Sequence, residues 1–299
     1  MFVSPLALFV PAAFMSSRIK NGRSGIAGAI FGAAGLFLLA SVGGVSGAPS
    51  APMVANAGRL IFEIGLPSYV ATELMSRALP FGVVVIAALA SAAMGFFINE
   101  VALQSLMSYS PFEAVVQNVR TTSATSIEMY RSAGFPSDML ESMARLSEVV
   151  ASSYVPLIMA AVTVLMFVLS LVMLPRLPVG RASGSGFHFR TLAFPDLLLF
   201  VFVLAGLSPL AGEPLRTIGL NVLGLTMLVY FLQGLAVARS VMTRPGVKMP
   251  AMLIAFSLLV FLTIYLVAPV LFFLVGLFDS FFDFRRFKRK DDSHESHTG

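Results

Sequence analysis

The chain has 299 residues, of which 57% are hydrophobic and 12% are charged, and its net charge is +5. Soluble domains carry about 25% charged residues, and no soluble fold of this length has enough interior to hide so much apolar surface. The composition therefore excludes a water-soluble enzyme, a disordered chain and a nucleic-acid-binding domain, and it predicts a polytopic membrane protein. Since cysteine is absent, disulfides, thiolate metal sites and cysteine nucleophiles are excluded too.

Apolar runs in chain order predict the membrane segments, because a bilayer core takes about 20 helical residues. One of these apolar segments, about 53–74, carries Arg59, Glu63 and Glu73. The fold class is therefore an all-α polytopic transmembrane helix bundle of about 8–9 membrane segments. We expect a single domain over residues 1–290 and a disordered polar tail at 291–299. The other runs are 1–17, 26–42, 78–99, 149–175, 197–212, 217–238 and 249–278.

The distribution of cations predicts the sidedness of the loops. Cations in 18–23, 176–190 and 239–248 place these loops inside, whereas 100–148 holds three Arg against six acids and is predicted outside. The five cations within 285–290 place the C-terminus in the cytoplasm.

The last apolar run contains Pro269, which removes a helical hydrogen bond. With the tail inside, parity favours two short helices or a re-entrant pair over 249–283. A single long kinked span is the alternative.

The outer segment, about 100–148, is predicted to form two amphipathic extracytoplasmic helices. Ser110 and Glu113 have the spacing of a capping box, with Pro111 at the first helical position. A second helix start follows at Gly134, Pro136 and Ser137, and it leads into an apolar stripe. We expect this stripe to pack against the rim of the bundle, and a partner-binding surface is the alternative. The stripe consists of Met139, Met143, Leu146 and Val150.

Polar residues within the apolar segments are the main candidates for a site, because each charge at the bilayer centre costs about 2.5–3.5 kcal/mol. Arg59 and Glu63 are four apart on one helix face and can neutralise each other. A structural ion pair is the favoured interpretation, and a site for an anionic substrate or an ion is the alternative. Asn221 and Gln233 are expected to form interhelical hydrogen bonds. Asn99 and its neighbour are expected to be exposed at the end of a span.

Asp279 and Asp283 lie four apart at the predicted inner membrane boundary, followed by Arg285 and Arg286. We expect these four residues to form a membrane-boundary anchor. A Mg²⁺ site for a lipid-phosphate enzyme is the alternative, but no second acidic motif completes it. Catalytic signatures such as His-Glu-x-x-His and Gly-x-Ser-x-Gly are absent from the sequence. No enzymatic activity, metal or cofactor is therefore predicted.

Four stretches resemble the YybS-like family of bacterial polytopic membrane proteins, which is described as a domain of unknown function. The most specific is the ending Gly-Leu-Phe-Asp-Ser-Phe-Phe-Asp-Phe-Arg-Arg at 276–286. The others begin at Phe194 (Phe-Pro-Asp-Leu-Leu), at Tyr130 (Tyr-x-x-x-Gly-x-Pro) and at Asn221, where the match continues as Tyr-Phe-Leu-Gln-Gly over 230–234.

The resemblance implies a further helix before the stretch 4–18, which is either missing here or lies upstream of the present start. It also implies a helical layout similar to the substrate-binding subunits of energy-coupling-factor transporters. We therefore expect a small-molecule-binding or transport-type membrane subunit without its own ATPase. The alternative is a structural or envelope-assembly protein that acts by partner binding. The expected partners are the lipid bilayer and either a membrane protein or an energy-coupling module.

Overall fold

Every regular element in the part of the chain that the structure describes is helical. The computed structural model describes residues 10–42, 50–174, 189–242, 267–282 and 284. Within these residues the all-α prediction is confirmed. Two π-helices, Arg59–Gly65 and Val150–Tyr154, and two 3₁₀ turns, Phe189–Thr191 and Ser208–Leu210, accompany the α-helices. The α-helices are α1 (Val10–Val42), α2 (Ala51–Gly58), α3 (Leu66–Ser76), α4 (Phe81–Met107), α5 (Pro111–Ser132), α6 (Ser137–Val149), α7 (Val155–Met173), α8 (Leu197–Gly206), α9 (Leu215–Met242) and α10 (Val267–Phe282).

Three helical stretches among the described residues are long and apolar enough to cross a membrane: Phe81–Met107, Ser137–Met173 and Leu215–Ser240. Leu197–Leu210 and Pro269–Phe282 are shorter apolar helices. The chain is thus a membrane protein with apolar helices, while the count of about 8–9 segments stays a prediction.

The helices form two units, each with its own interior. The first unit comprises Met1–Leu79 and Val84–Gly186, and the second comprises Pro80–Val83 and Phe187–Gly299. The prediction of one domain over residues 1–290 stays a prediction, and the two units are described separately below.

In the first unit, α1 consists of two helices that meet at a turn. Gly22 has φ 72° and ψ −162°, which is not helical and suits glycine because the residue has no Cβ. The Ser17 hydroxyl donates to the Gly25 carbonyl at 2.9 Å, although eight residues of straight helix would span about 12 Å. The chain therefore folds back here, and the turn predicted at 18–23 is confirmed.

Each π-helix is followed directly by an α-helix, and the first turn of that α-helix contains a proline. Pro67 follows the π-helix Arg59–Gly65, and Pro156 follows the π-helix Val150–Tyr154. Proline has no N–H and its ring collides with the carbonyl four residues earlier, which a wider turn relieves. The chain therefore accommodates Pro67 and Pro156 by a π-helical turn before each of them.

The two predicted amphipathic helices are present as α5 and α6. Ser110 is the N-cap of α5 and accepts a hydrogen bond from the Glu113 amide at 3.0 Å, which confirms the predicted helix start and one of the two bonds of a capping box. The predicted packing of the apolar stripe is wrong at two of its positions. Met139 is 47% exposed and Leu146 is 65% exposed, whereas Leu140, outside the stripe, is buried.

The physical reason is that α6 continues through a π-helix into α7. Ser137–Met173 is one stretch of 37 residues. At 1.5 Å per residue it is about 55 Å long, well beyond the roughly 30 Å of a bilayer core. The apolar half, Val155–Met173, is long enough to cross the core by itself. α6 therefore extends past the core. Its apolar stripe need not pack against the helices that α7 contacts.

In the second unit, α9 and α10 approach to backbone contact. A Cβ on Gly276 would lie 1.8 Å from the Tyr230 carbonyl oxygen, and one on Gly234 would lie 1.8 Å from the Phe272 carbonyl oxygen. Small residues allow this approach in membrane helices. Beside the contact, three aromatic rings pack together, and the distances between their centroids are 5.7–6.4 Å. The rings belong to Phe202, Tyr230 and Phe273.

Candidate functional site

The predicted pair Arg59 and Glu63 lies in the first unit, on the π-helix Arg59–Gly65. Arg59 Nε is 3.4 Å from Glu63 Oε2, so the two side chains form the expected ion pair. The side chains are 29% and 13% exposed, respectively. Removing them from water is costly, and the mutual contact offsets part of that cost.

A third polar side chain, Asn99 of α4, completes this cluster. Its amide nitrogen lies 3.3 Å from Glu63 Oε1 and 3.3 Å from the Ala55 carbonyl oxygen. The expectation that Asn99 is exposed at a span end is wrong, since the residue is only 4% exposed. The reason is that α4 extends to Met107, two turns beyond the apolar run, and so carries Asn99 within the helix.

Two glycines make this arrangement possible. A Cβ on Gly58 would lie 2.1 Å from the Asn99 side-chain oxygen, and a Cβ on Gly95 would lie 2.0 Å from the Phe62 carbonyl oxygen. A larger residue at Gly95 would separate α4 from the π-helix that carries the ion pair, and one at Gly58 would displace the Asn99 side chain. The close approach is what brings the Asn99 amide within reach of Glu63.

Glu100, next to Asn99, ties the end of α4 to the start of α5. Its carboxylate accepts hydrogen bonds from the Ser110 hydroxyl and, at 3.0 Å, from the Phe112 amide. A carboxylate at a helix N-terminus also interacts favourably with the helix dipole. The first turns of α5 are thereby held beside the polar cluster.

These elements enclose a cavity of about 260 Å³ within the first unit. Phe96 and Met159 contribute apolar walls, and Ala114 and Val115 of α5 contribute another side. The polar residues that line it are Asn56, Arg59, Glu63, Asn99, Tyr109 and Asn118. Ligand sites typically combine apolar walls with a few convergent polar groups, and this cavity has that composition.

In the second unit, Gln233 of α9 joins three chain segments. Its side-chain oxygen accepts a hydrogen bond from the Phe194 amide at 3.1 Å. Its side-chain nitrogen donates to Asp279 Oδ2 at 3.2 Å and contacts Ser280 Oγ at 3.4 Å. Gln233 is 2% exposed and Asp279 is 7% exposed. The interhelical bonding predicted for Gln233 is confirmed, and three of the stretches that carry the family resemblance meet at this network.

The remaining predicted residues have separate outcomes. The Asn221 amide donates to the Thr217 carbonyl at 2.8 Å, within its own helix. Asp279 was expected to belong to a membrane-boundary anchor, and one of its partners is Gln233 of the adjacent helix. Asp283, Arg285 and Arg286 lie outside the described residues. Arg59 and Glu63 belong to the first unit, whereas Asn221 and Gln233 belong to the second.

A comparison with known protein families shows which family the chain belongs to. The profile of the family described as Predicted membrane protein (DUF2232) matches residues 1–280. The chain belongs to this family. No curated protein and no solved structure matches the chain. Membership of the Predicted membrane protein (DUF2232) family is consistent with the apolar helices and assigns no activity.

Sequence reasoning missed several residues of the site because they lie outside the apolar segment that carries the charges. Tyr109, Pro111 and Asn118 belong to the outer segment and line the cavity only because α5 returns to the end of α4. The bond that holds α5 at this place joins the carboxylate of Glu100 and the hydroxyl of Ser110, ten residues apart. Nothing in the local pattern indicated that the two would meet.

Proposed function

We propose that this protein is a small-molecule-binding membrane subunit of transport type, whose ligand occupies the cavity of the first unit. The single observation that carries the proposal is a cavity of about 260 Å³ that meets an ion pair, Arg59 and Glu63, and the Asn99 amide. Charged side chains in an apolar segment cost free energy. In membrane proteins such residues commonly mark functional sites.

The size and chemistry of the cavity suit a compact polar ligand. A cavity of about 150 Å³ can bind benzene, so about 260 Å³ has room for a somewhat larger compact ligand. The guanidinium and the carboxylate present both signs of charge, and three asparagines add amide donors and acceptors. A zwitterion with a carboxylate and an amine, of the size of an amino acid, matches this lining best.

The proposal extends to the setting of the protein. The chain acts in the bacterial cytoplasmic membrane with its C-terminus in the cytoplasm, as the cations of the inner loops favour. Energy coupling is supplied by a partner, which agrees with the resemblance to YybS-like proteins and to substrate-binding subunits of energy-coupling-factor transporters. The proposed role includes no catalytic step.

The test is a thermal-stability screen of the purified protein in detergent with amino acids, sugars and small anions. A ligand that binds the folded state raises the melting temperature by mass action. We expect zwitterionic amino acids to stabilise the parent by several degrees, and Asn99→Ala to abolish the shift. Asn221→Ala is the matched control, because this asparagine belongs to the second unit. It should keep the full shift.

Two outcomes would overturn the proposal. One is the absence of a shift with every class of ligand. The other is an equal shift in the parent and in Tyr109→Phe, Glu63→Gln and Asn99→Ala, since all three change the lining. If ligand binding is found, counterflow in proteoliposomes distinguishes a transport subunit from a receptor.

A second candidate function, partner binding in envelope assembly, is favoured by the exposed apolar side chains of α5 and α6. Met129, Met139 and Leu146 are 61%, 47% and 65% exposed. Apolar surface of this kind on an outer segment marks interaction sites. Met139→Ser combined with Leu146→Ser should then abolish co-purification of a stoichiometric partner from native membranes. The ligand-induced shift would be unchanged.

A further inference from the structure

Three arginines converge on one carboxylate at an end of the first unit. Arg18 lies 3.0 Å from Glu73 Oε2, Arg23 lies 2.8 Å from Glu73 Oε1, and Arg77 lies 3.7 Å from that same Oε1. Arg18 and Arg23 flank the Gly22 turn of α1, whereas Glu73 and Arg77 lie at the end of α3. Two turns that are far apart in sequence therefore meet.

The charges of this cluster do not balance. Within the described residues, Glu73 is the only carboxylate that pairs with any of the three guanidiniums, which leaves an excess of two positive charges. Arg23 and Arg77 share one oxygen, and the longer distance belongs to Arg77. A second anion placed between them would relieve this competition.

The guanidiniums also differ in exposure. The Arg18 side chain is 19% exposed, and its Nε is buried without a hydrogen-bond partner among the described residues. The side chains of Arg23 and Arg77 are each 67% exposed and accessible to a ligand. One partly buried guanidinium and two accessible ones form a receptor for an anion that approaches from the solvent.

We propose that Arg18, Arg23 and Arg77 bind a phosphate-bearing anion beside Glu73. Guanidinium groups form bidentate, charge-assisted hydrogen bonds with phosphate oxygens, and several of them suit a phosphodiester or a phosphate monoester. The turns join apolar helices, so an anionic phospholipid headgroup is the source at hand, and cations near a membrane surface favour such binding. The site does not depend on the ligand proposed for the cavity.

The experiment measures melting temperature in detergent during titration with phosphatidylglycerol, with phosphatidylcholine and with inorganic phosphate. We expect phosphatidylglycerol to stabilise the parent and phosphatidylcholine to have little effect. Arg77→Gln and Arg23→Gln should each weaken the apparent affinity about tenfold, because each removes one charge-assisted partner. Arg145→Gln is the matched control: Arg145 is 80% exposed and pairs with Glu141 at 3.2 Å four residues away, on α6.

The outcomes separate the sources and the alternatives. Stabilisation by inorganic phosphate that Arg77→Gln weakens, without an effect of phosphatidylglycerol, supports the site with a free phosphate as its ligand. An equal response of Arg77→Gln, Arg23→Gln and Arg145→Gln to phosphatidylglycerol overturns it, since general attraction to a negative surface then suffices. No stabilisation by any of the anions overturns it as well. Should Arg77→Gln fold poorly, Arg77→Lys keeps the charge but loses the bidentate geometry, and it is expected to weaken binding.

Discussion

At the scale of single residues, Gln233 holds together parts of the second unit that are distant in sequence. Its amide accepts from the Phe194 backbone and donates to Asp279, so both ends of the side chain are used. Such a side chain is almost fully buried, and no water competes for its partners. A buried polar group that loses a partner costs more than the bond contributed, because its desolvation is no longer compensated.

Gln233→Leu is expected to lower the free energy of unfolding by about 1–3 kcal/mol, because it removes both bonds of the amide. The measurement is thermal or SDS-induced unfolding in detergent. Thr226→Val on the same helix is the control, since Thr226 is also buried and donates to carbonyls one turn away, those of Val222 and Leu223. A loss in Gln233→Leu no larger than in the control would contradict the bridging role.

Arg59 and Glu63 provide a second prediction at this scale. Arg59→Leu and Glu63→Leu each strand the partner's charge in a mostly buried place, whereas the double variant removes both charges. We expect the double variant to retain more folded protein than the sum of the single losses allows. Fluorescence-detected size-exclusion chromatography measures that yield, and strictly additive losses would show that the two side chains do not interact.

At the scale of elements, the contact between α9 and α10 depends on the absence of side chains. The Tyr230 carbonyl occupies the place of a Cβ on Gly276, and the Phe272 carbonyl occupies that of a Cβ on Gly234. Backbone atoms at these positions are unable to rotate away as a flexible side chain would. The helix pair must separate to admit even a methyl group.

Gly276→Ala is therefore expected to destabilise the protein by about 1–3 kcal/mol, within the range for overpacked interiors. Melting in detergent measures the effect. Gly206→Ala, at the end of α8, is the control, because a Cβ there has no heavy atom within 4 Å. Comparable melting temperatures for the two variants would rule out a tight contact at Gly276.

The two outer helices are joined by a bidentate ion pair. Arg120 of α5 donates to both oxygens of Glu148 near the end of α6, at 3.1 and 2.7 Å. The hydrogen bonds from Arg120, together with its charge, lower the pKa of Glu148. A carboxyl with a lowered pKa in the folded state stabilises that state above its ordinary pKa of about 4.3, and this contribution is lost as the pH falls through the lowered value.

Glu148→Gln should therefore increase amide hydrogen exchange in α5 at about pH 6. The difference from the parent should shrink as the pH falls through the lowered pKa of Glu148, because the parent then loses this charge as well. Glu141→Gln is the control, because Glu141 pairs with Arg145 inside α6 and does not join the two helices. A difference between Glu148→Gln and the parent that is independent of pH would exclude the ion pair as its cause.

At the scale of the whole molecule, the arrangement of turns agrees with the sidedness deduced from charge. Glu73 contacts Arg18 and Arg23, so the first turn and the end of α3 lie on the same side, as the cations at 18–23 and at Arg77 require. The long stretch Ser137–Met173 exceeds the thickness of a bilayer core, so α6 is not needed to cross it. Which side faces the cytoplasm remains a prediction.

Single cysteines at positions 123 and 183 test that prediction in a chain without native cysteine. Ser123→Cys is expected to react with an impermeant maleimide on intact cells, and Ser183→Cys is expected to react only after the membrane is opened. The opposite labelling pattern would invert the orientation. Labelling of both on intact cells would contradict the predicted alternation of loops.

Several features were determined by the sequence alone. The membrane class follows from apolar content, which no soluble interior accommodates. The turn at 18–23 and the start of α5 at Ser110 follow from glycine, cation and capping patterns that act over a few neighbouring residues. The contact between Arg59 and Glu63 follows from their spacing of four. Each of these depends on short-range rules that a linear sequence displays.

The tertiary structure alone decided which distant groups share a site. Asn99 reaches Glu63 across 36 residues, and Gln233 reaches Asp279 across 46. Neither pairing has a local pattern, because each depends on how closely two helices approach. That approach is set at Gly95 and Gly276 by the missing side chain and by the backbone that fills its place. Since such complementarity exists only between folded surfaces, the cavity and the buried network emerge only when the helices pack.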